Sequence, residues 1–335
     1  MLFGTPLNEF LVIVLGGIFA GVIGSLTGLG GGSVLVPVLT IFYGVPIDFA
    51  IGASLISTIA TSAGSASTYT KKGIANIKIG VGLEVATTLG AVVGALTFIL
   101  VTRQHLEWVL YLLFGLVLLS SLIPTIQRGK YEFPEAKMPD FTSRAFQLTG
   151  RYTDDRAKKT VTYTGVRWWL GEIIMFFAGL LSGLLGIGSG ALKVLGMDWA
   201  MNLPMKVTTT TSNFMIGITA ATGSSIYWYA GYISFFLAAA TAIGVLVGSR
   251  VGSHVLMKIS NKEIRWIFFA ILSFLGIDML FKGIRQGNIF DLQKRLTGLL
   301  SFSIAVGVSI LMILLLYLYT KRGVSYSGGN ITKTD

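Results

Sequence analysis

Apolar residues run through this chain in blocks of about twenty, long enough to cross a hydrocarbon layer as helix, and the blocks recur twice in the same order. In the first copy an apolar stretch at 9–27 runs into Gly28-Leu29-Gly30-Gly31-Gly32, and a short segment follows at 32–43. Full spans then fall near 49–69, 77–101 and 106–123. The second copy has 168–185, the cluster Gly186-Ile187-Gly188-Ser189-Gly190, a short segment at 191–201, and spans near 207–229, 233–257 and 263–281. One more apolar run, 297–319, precedes a polar tail. A twelve-residue helix rises about 18 Å, less than a hydrocarbon core of about 30 Å. The stretches flanking each glycine cluster therefore read as re-entrant or broken hairpins, which a bilayer tolerates only where protein or a water-filled cavity covers the freed backbone groups.

Shifted by 158 residues, the chain matches itself at Gly21/Gly179, Gly28/Gly186, Gly30/Gly188, Gly32/Gly190, Pro46/Pro204, Ser54/Ser212, Tyr69/Tyr227, Gly73/Gly231, Gly90/Gly248, Gly94/Gly252 and Trp108/Trp266. Most of these residues set backbone geometry or anchor a helix end, so the repetition is structural rather than mere greasiness. Each copy contributes an odd number of crossings, so the second enters the membrane from the opposite face. The fold expected is an all-α integral membrane protein with two inverted-topology repeats. Each repeat is a broken or re-entrant helical hairpin plus three full spans, and one extra C-terminal transmembrane helix follows. The repeats occupy 1–123 and 168–283, joined by a connecting loop at 124–167. Residues 284–335 hold an interfacial segment, the last helix and the tail. Inverted repeats with discontinuous helices are characteristic of secondary transporters, whose substrate sits near the midplane where the copies meet.

Composition narrows the class further. Apolar residues make up 53% of the 335 positions, glycine another 42 residues, and charged residues only 12%, which excludes an ordinary soluble domain and a disordered chain. The net charge of +11 is a topology signal rather than a nucleic-acid footprint. Nine Lys and Arg residues lie in 124–167, which places that loop in the cytoplasm and, with it, the C-terminus of a multi-pass cell-membrane protein. Lys71, Lys72, Lys206, Lys258 and Lys262 fall on the same side. Lys282, Arg285, Lys294 and Arg295 land opposite, against the rule, so either 282–295 is an interfacial helix or the last span is misassigned. Residues 1–10 carry one charge, Glu9, and lack the basic start of a signal peptide, so the first apolar stretch is expected in the mature protein. With no cysteine and only His105 and His254, neither a disulfide framework nor a metal site is expected, and no cofactor.

The stretch Gly24-Ser-Leu-Thr-Gly-Leu-Gly-Gly-Gly-Ser33 through Pro37, followed by Ile51-Gly-Ala-Ser-Leu55, resembles the sulfite exporter TauE/SafE family of membrane permeases. So does Gly186-Ile-Gly-Ser-Gly-Ala-Leu-Lys193-Val, followed by Thr211-Ser-Asn-Phe-Met215. The resemblance covers about 10–283 and implies transport of small sulfur-containing anions such as sulfite or organosulfonates. Ser189 and Leu195 depart from the first copy, which has Gly31 and Pro37 there.

Candidate substrate contacts follow from the breaks. Glycine lets N–H groups face a ligand without side-chain interference, and the short segments starting near Ser33 and Ala191 present the positive ends of helix dipoles. Gly30, Gly31, Gly32 and Ser33, with Gly188, Ser189 and Gly190, are therefore candidate oxyanion contacts. Tight helix packing is the competing explanation of the glycines. Ser54, Ser57 and Thr58 lie in one following span, and Thr208 through Asn213 open the other. Ser54, Ser212 and Asn213 are the preferred contacts, although helix-to-helix bonding is the commoner use of such groups. Lys193 lies in an apolar segment where a charge is expensive, so it needs a partner or a cavity. It is read as a counter-charge for an anion, against a pair with Asp198 or snorkelling to the interface. Glu84 and Arg250 lie at similar depth, as a structural pair or with Glu84 carrying a coupling proton.

A secondary transporter of small anions working by alternating access at the repeat interface fits these features. The alternative within transport is a permease for a cation or neutral solute held by the hydroxyl clusters, although acids in the spans are scattered. An intramembrane enzyme lacks a base beside a nucleophile, and a pump lacks a GxxxxGK[ST] loop. The partners expected are a small anion and the lipid bilayer, with no nucleic acid, and a homo-oligomer is left open.

Overall fold

The computed structural model describes residues 6–27, 30–71, 73–120, 122, 138–154, 159–256, 261–287, 303, 306 and 307. The first half contains α1 (Pro6–Thr27), α2 (Gly32–Phe42), α3 (Ile47–Lys71), α4 (Ile77–Arg103) and α5 (Glu107–Ser120). A short helix α6 (Phe141–Ala145) and a hairpin of β1 (Thr149–Asp154) and β2 (Lys159–Thr164) follow. The second half contains α7 (Trp168–Leu185), α8 (Gly190–Leu195), a π-helical turn at Gly196–Ala200, α9 (Met205–Tyr229), α10 (Phe235–Leu256) and α11 (Asn261–Gln286). Among the described residues, five helices are long and apolar enough to cross a membrane, within α1, α3, α4, α7 and α10.

Local chemistry places the breaks. Gly186 takes a left-handed conformation (φ +65°) and ends α7, its N–H bonding to the Ser182 carbonyl. Asn76 starts α4 by accepting from the Ile79 N–H at 3.1 Å. Pro46 and Pro204 stand at the mouths of α3 and α9, where a missing N–H costs nothing. The second short segment, expected as one piece over 191–201, is instead α8 followed by the π turn. Lys282 and Arg285, expected on an interfacial segment, extend α11 to Gln286. Lys282 Nζ donates to the Thr40 carbonyl in the last turn of α2 at 2.6 Å and lies over the Tyr111 ring. A cation there satisfies an orphan carbonyl at the negative end of a short helix. All of the expected span at 297–319 but residues 303, 306 and 307, together with Gly28, Leu29, Lys72, Lys294 and Arg295, lies outside the described residues.

The packing has a pattern of its own. α3 and α9 cross each other, α1 packs on α10, α4 on α7, and α5 on α11. α3 also packs on α10, and α4 on α9. Exchanging the two halves (α1 with α7, α3 with α9, α4 with α10, α5 with α11) leaves this set of pairings unchanged. Both outer seams are built on small residues. A Cβ at Gly90 or Gly94 would strike the carbonyls of Phe176 or Leu180, and one at Gly248 or Gly252 would strike those of Ile18 or Val22. Backbone therefore meets backbone along each seam, as in close membrane helix pairs. The polarity of the helices is turned outward: Leu7, Leu11 and Leu15 of α1, and Val81, Val85 and Leu89 of α4, are exposed. Ser57, Thr58, Thr61, Thr211 and Ser212 are buried. Lipid is the solvent that makes this arrangement stable.

The connecting segment, read from sequence as a polar loop, carries a docked hairpin in its described part. Thr149 pairs with Thr164 and Tyr152 with Val161 in the antiparallel register. Leu148, Tyr152 and Tyr163 bury against Ile79, Leu203 and Val207 at one end of the bundle. Asp140 fastens it: one carboxylate oxygen accepts from the Ser143 N–H and the Thr142 hydroxyl, the other from the Arg167 N–H, each at 2.7 Å.

Candidate substrate site at the hairpin tips

The two glycine breaks meet. Gly30 (φ +80°) lies against Thr58 and Ile216, and Gly31 caps α2 with its Cα facing Thr61. A Cβ on Gly32 would collide with the Gly186 carbonyl of the other half and stand 2.9 Å from Thr58 Oγ1. Only hydrogen fits there, so the close approach explains the residue. From the central helix α3, Ser54 donates to the same Gly186 carbonyl at 2.8 Å. Ser33 donates to the Gly30 carbonyl at 3.1 Å. On the opposite side, Gly188 and Ser189 both have positive φ, and Ser189 is a serine held in the left-handed region at φ +46°. Ser212 reaches the Gly190 carbonyl only at 3.5 Å. The central helices are stitched together by Ser62 donating to the Asn213 carbonyl at 2.6 Å, and Ser57 bonds Thr241 of α10 at 2.7 Å.

The structure thus brings Gly32 and Ser54 to Gly186, with Gly30, Gly31 and Ser33 in the same turn of chain; Ser212 approaches Gly190 beside Gly188 and Ser189, and Asn213 meets Ser62 of α3. Ser33, Ser54, Ser189, Ser212 and Asn213 are all buried. Among the described residues, four polar atoms in this region have no hydrogen-bond partner: Thr58 Oγ1, Ser189 Oγ, and both Oδ1 and Nδ2 of Asn213. Buried polar groups are nearly always paired, so unpaired donors and acceptors on both sides of one interface make this the candidate site.

Lys193 is 0% exposed and projects from α8 to a partner the sequence reading did not assign. Its Nζ donates to Thr219 Oγ1 at 2.5 Å, and that hydroxyl donates to Glu84 Oε1 at 2.5 Å. Glu84 Oε2 lies 3.6 Å from Nζ and has no hydrogen bond of its own. Two expectations are corrected. Lys193 does not snorkel, because full burial leaves its ammonium out of reach of water. Glu84 does not pair with Arg250: it is buried against Lys193 and Thr219, whereas Arg250 is exposed on α10. The residues related to Lys193, Thr219 and Glu84 by the 158-residue shift are Leu35, Thr61 and Ala242, so the ionic contact exists on one side only. Thr219 was absent from the sequence reading, and Thr58 was named there among the hydroxyls without being chosen as a contact. The match of Thr219 with Thr61 under the shift was the available signal for the first, and Thr58 had none beyond its hydroxyl.

A groove of about 510 Å³ opens on the surface along α4 and α7, lined by Lys78, Val85, Leu89, Phe146, Trp168 and Glu172. It is built from other residues than the hairpin tips.

A multi-pass helical bundle whose polar groups gather around two broken helices is the architecture of a membrane transporter. The chain belongs to the sulfite exporter TauE/SafE family, whose pattern it matches over residues 13–279. It is 30% identical over 284 residues to the probable membrane transporter protein YunE of Bacillus subtilis, covering 82% of this chain and 99% of that protein. Similarity extends to the probable membrane transporter protein MJ0441 of Methanocaldococcus jannaschii, 26% identical over 290 residues, 81% of this chain and 97% of that one. No solved structure matches the chain significantly.

Proposed function

We propose that the protein is a secondary transporter of small anions, with sulfur oxyanions such as sulfite or organosulfonates as the class that fits best. It works by alternating access between two inverted repeats in the cell membrane. The observation that carries this reading is the contact of Gly32 with Gly186 amid unpaired Thr58, Ser189 and Asn213 atoms. Backbone N–H groups at the glycine breaks, hydroxyls and an amide are donors suited to an oxyanion, and Lys193 supplies positive charge beside them. The buried tips describe a closed state, and rocking one half against the other along the glycine seams would open it to one side at a time. In this reading the 124–167 loop and the C-terminus face the cytoplasm, and Glu84 is the group that carries a coupling proton.

The test is thermal stabilisation of purified protein across sulfite, sulfate, methanesulfonate, carboxylates, sodium and neutral solutes, since a ligand that binds the folded state raises the melting temperature by mass action. Stabilisation by a sulfur oxyanion supports the proposal. Stabilisation by sodium or a neutral solute alone would favour a hydroxyl-lined permease instead.

A further inference from the structure

An ion pair at the site sits between the group expected to greet an anion and a carboxylate, which is itself an anion. Glu84 belongs to α4, Lys193 to α8 and Thr219 to α9, so three elements of both halves converge on it. In the closed state Glu84 occupies Lys193 as a carboxylate substrate would, through a hydroxyl bridge and a 3.6 Å ionic contact. A second anion placed beside Lys193 would meet a second negative charge in a medium of low dielectric, where like charges are strongly disfavoured. The contact is therefore resolved by neutralising one of the two anions, and Glu84 is the one the protein owns.

Resting on the reading of the site as an anion site, we propose that Glu84 is an internal stand-in for the substrate that releases Lys193 on protonation, coupling one proton to each anion carried. The balance is simple. A proton from the aqueous side adds to the Glu84 carboxylate, the ammonium of Lys193 stays protonated, and its ionic contact passes from Glu84 to the entering anion. On release the anion departs, Glu84 gives its proton to water on that side, and the Glu84–Lys193 contact re-forms. No bond to the substrate is made or broken.

The charged groups on the elements around Glu84 leave this role to it. On α4 itself Lys78 and Arg103 stand near the two ends, α5 brings Glu107 in its first turn, and α7 brings Glu172 on the surface groove. α9 brings Lys206 in its first turn and the π turn brings Asp198. α8 brings Lys193, the group in ionic contact with Glu84 among the described residues. Among the described residues Oε2 has no partner within 3.5 Å and faces the Lys193 ammonium at 3.6 Å, so this oxygen is the one that takes the incoming proton.

The experiment is calorimetric titration of the wild-type protein with sulfite and with methanesulfonate near neutral pH, in buffers of different ionisation enthalpy. Methanesulfonate is a strong-acid anion that takes up no proton itself, and for sulfite the free anion's own protonation is subtracted. The expected result is uptake of about one proton per anion bound and, in Glu84→Gln, binding with no proton uptake and an affinity that no longer changes with pH. In proteoliposomes the same variant should exchange labelled anion across the membrane but lose accumulation driven by a pH gradient. Binding without proton uptake in the wild type overturns the inference while leaving the anion site standing, and so does pH-driven accumulation by Glu84→Gln. Failure of both anions to bind overturns the proposed function and this inference together. The wild-type titration keeps the test decisive if the variant does not fold.

Discussion

Gly32 of the first hairpin rests on the carbonyl oxygen of Gly186 of the second, with no room between them for a methyl group. Two segments 154 residues apart in sequence are thereby joined at the buried centre of the molecule. Gly32→Ala should push the tips apart at a cost of about 1–3 kcal/mol, the range for overpacking a tight interior. The check is melting temperature together with anion uptake in vesicles, and the expected outcome is a folded protein with uptake largely lost. Gly44→Ala, at a turn where nothing lies within 4 Å, should lower stability by only about 1–2 kcal/mol through its positive φ and leave uptake intact.

Lys193 and Glu84 depend on each other. Lys193→Met leaves a buried carboxylate without its counter-charge, and removing one partner of such a pair costs about 3–5 kcal/mol. The double variant Lys193→Met/Glu84→Leu removes both charges and should recover most of that loss. Neither should transport anions. Melting temperatures of the single and double variants measure the coupling, and equal stability of Lys193→Met and wild type would mean the pair is not formed.

Asp140 gives a prediction in pH. Against a burial effect that would raise it, hydrogen bonds from Ser143, the Arg167 N–H and Thr142 hold its carboxyl well below the usual carboxylate range. A folded-state value below the unfolded one means that its stabilisation is in full force above about pH 3.9 and fades as pH falls toward the folded value. The 149–164 hairpin should therefore stay docked in mild acid and loosen only in strong acid. Asp140→Asn should loosen it already at neutral pH. Hydrogen exchange of residues in β1 and β2 reads both effects.

Much of the helical plan was legible because apolar runs of spanning length separated by glycine clusters leave few alternatives: α1 through α4, α7, α9 and α10 fall within a few residues of their expected positions, whereas the segment expected at 191–201 is split into α8 and a π turn. Close packing was weighed in the sequence only for the two glycine clusters. The seams of Gly90, Gly94, Gly248 and Gly252 use it as well, where the sequence showed only matched pairs of glycines, and Gly32 uses it where the tips meet. The partner of Lys193 was not legible. Glu84 lies 109 residues earlier, and the 158-residue shift maps it onto Ala242, so neither local spacing nor the internal repeat points to it. The docked hairpin did have a signal: Thr160-Val161-Thr162-Tyr163-Thr164 is rich in strand-forming residues, but the charged Asp154–Lys159 stretch beside it reads as loop.

Gly73 and Gly231 are related by the same shift and sit in open turns after α3 and α9. If the halves are inverted, these turns face opposite sides of the membrane. Because the chain has no cysteine, Gly73→Cys and Gly231→Cys can each be labelled alone with a membrane-impermeant thiol reagent. Reaction of one from outside and the other only from inside is expected. Labelling of both from the same side would exclude the inverted arrangement.

The measurement that bears most directly on the buried tips as a transport site is labelling of Ser189→Cys. Serine 189 is 3% exposed in the closed state, and cysteine is close to it in size. Under conditions of anion exchange the thiol should react with an impermeant reagent from either side of the membrane, and saturating substrate should protect it from both. A thiol that stays inert from both sides during exchange, or reacts at a rate indifferent to substrate, would contradict the account.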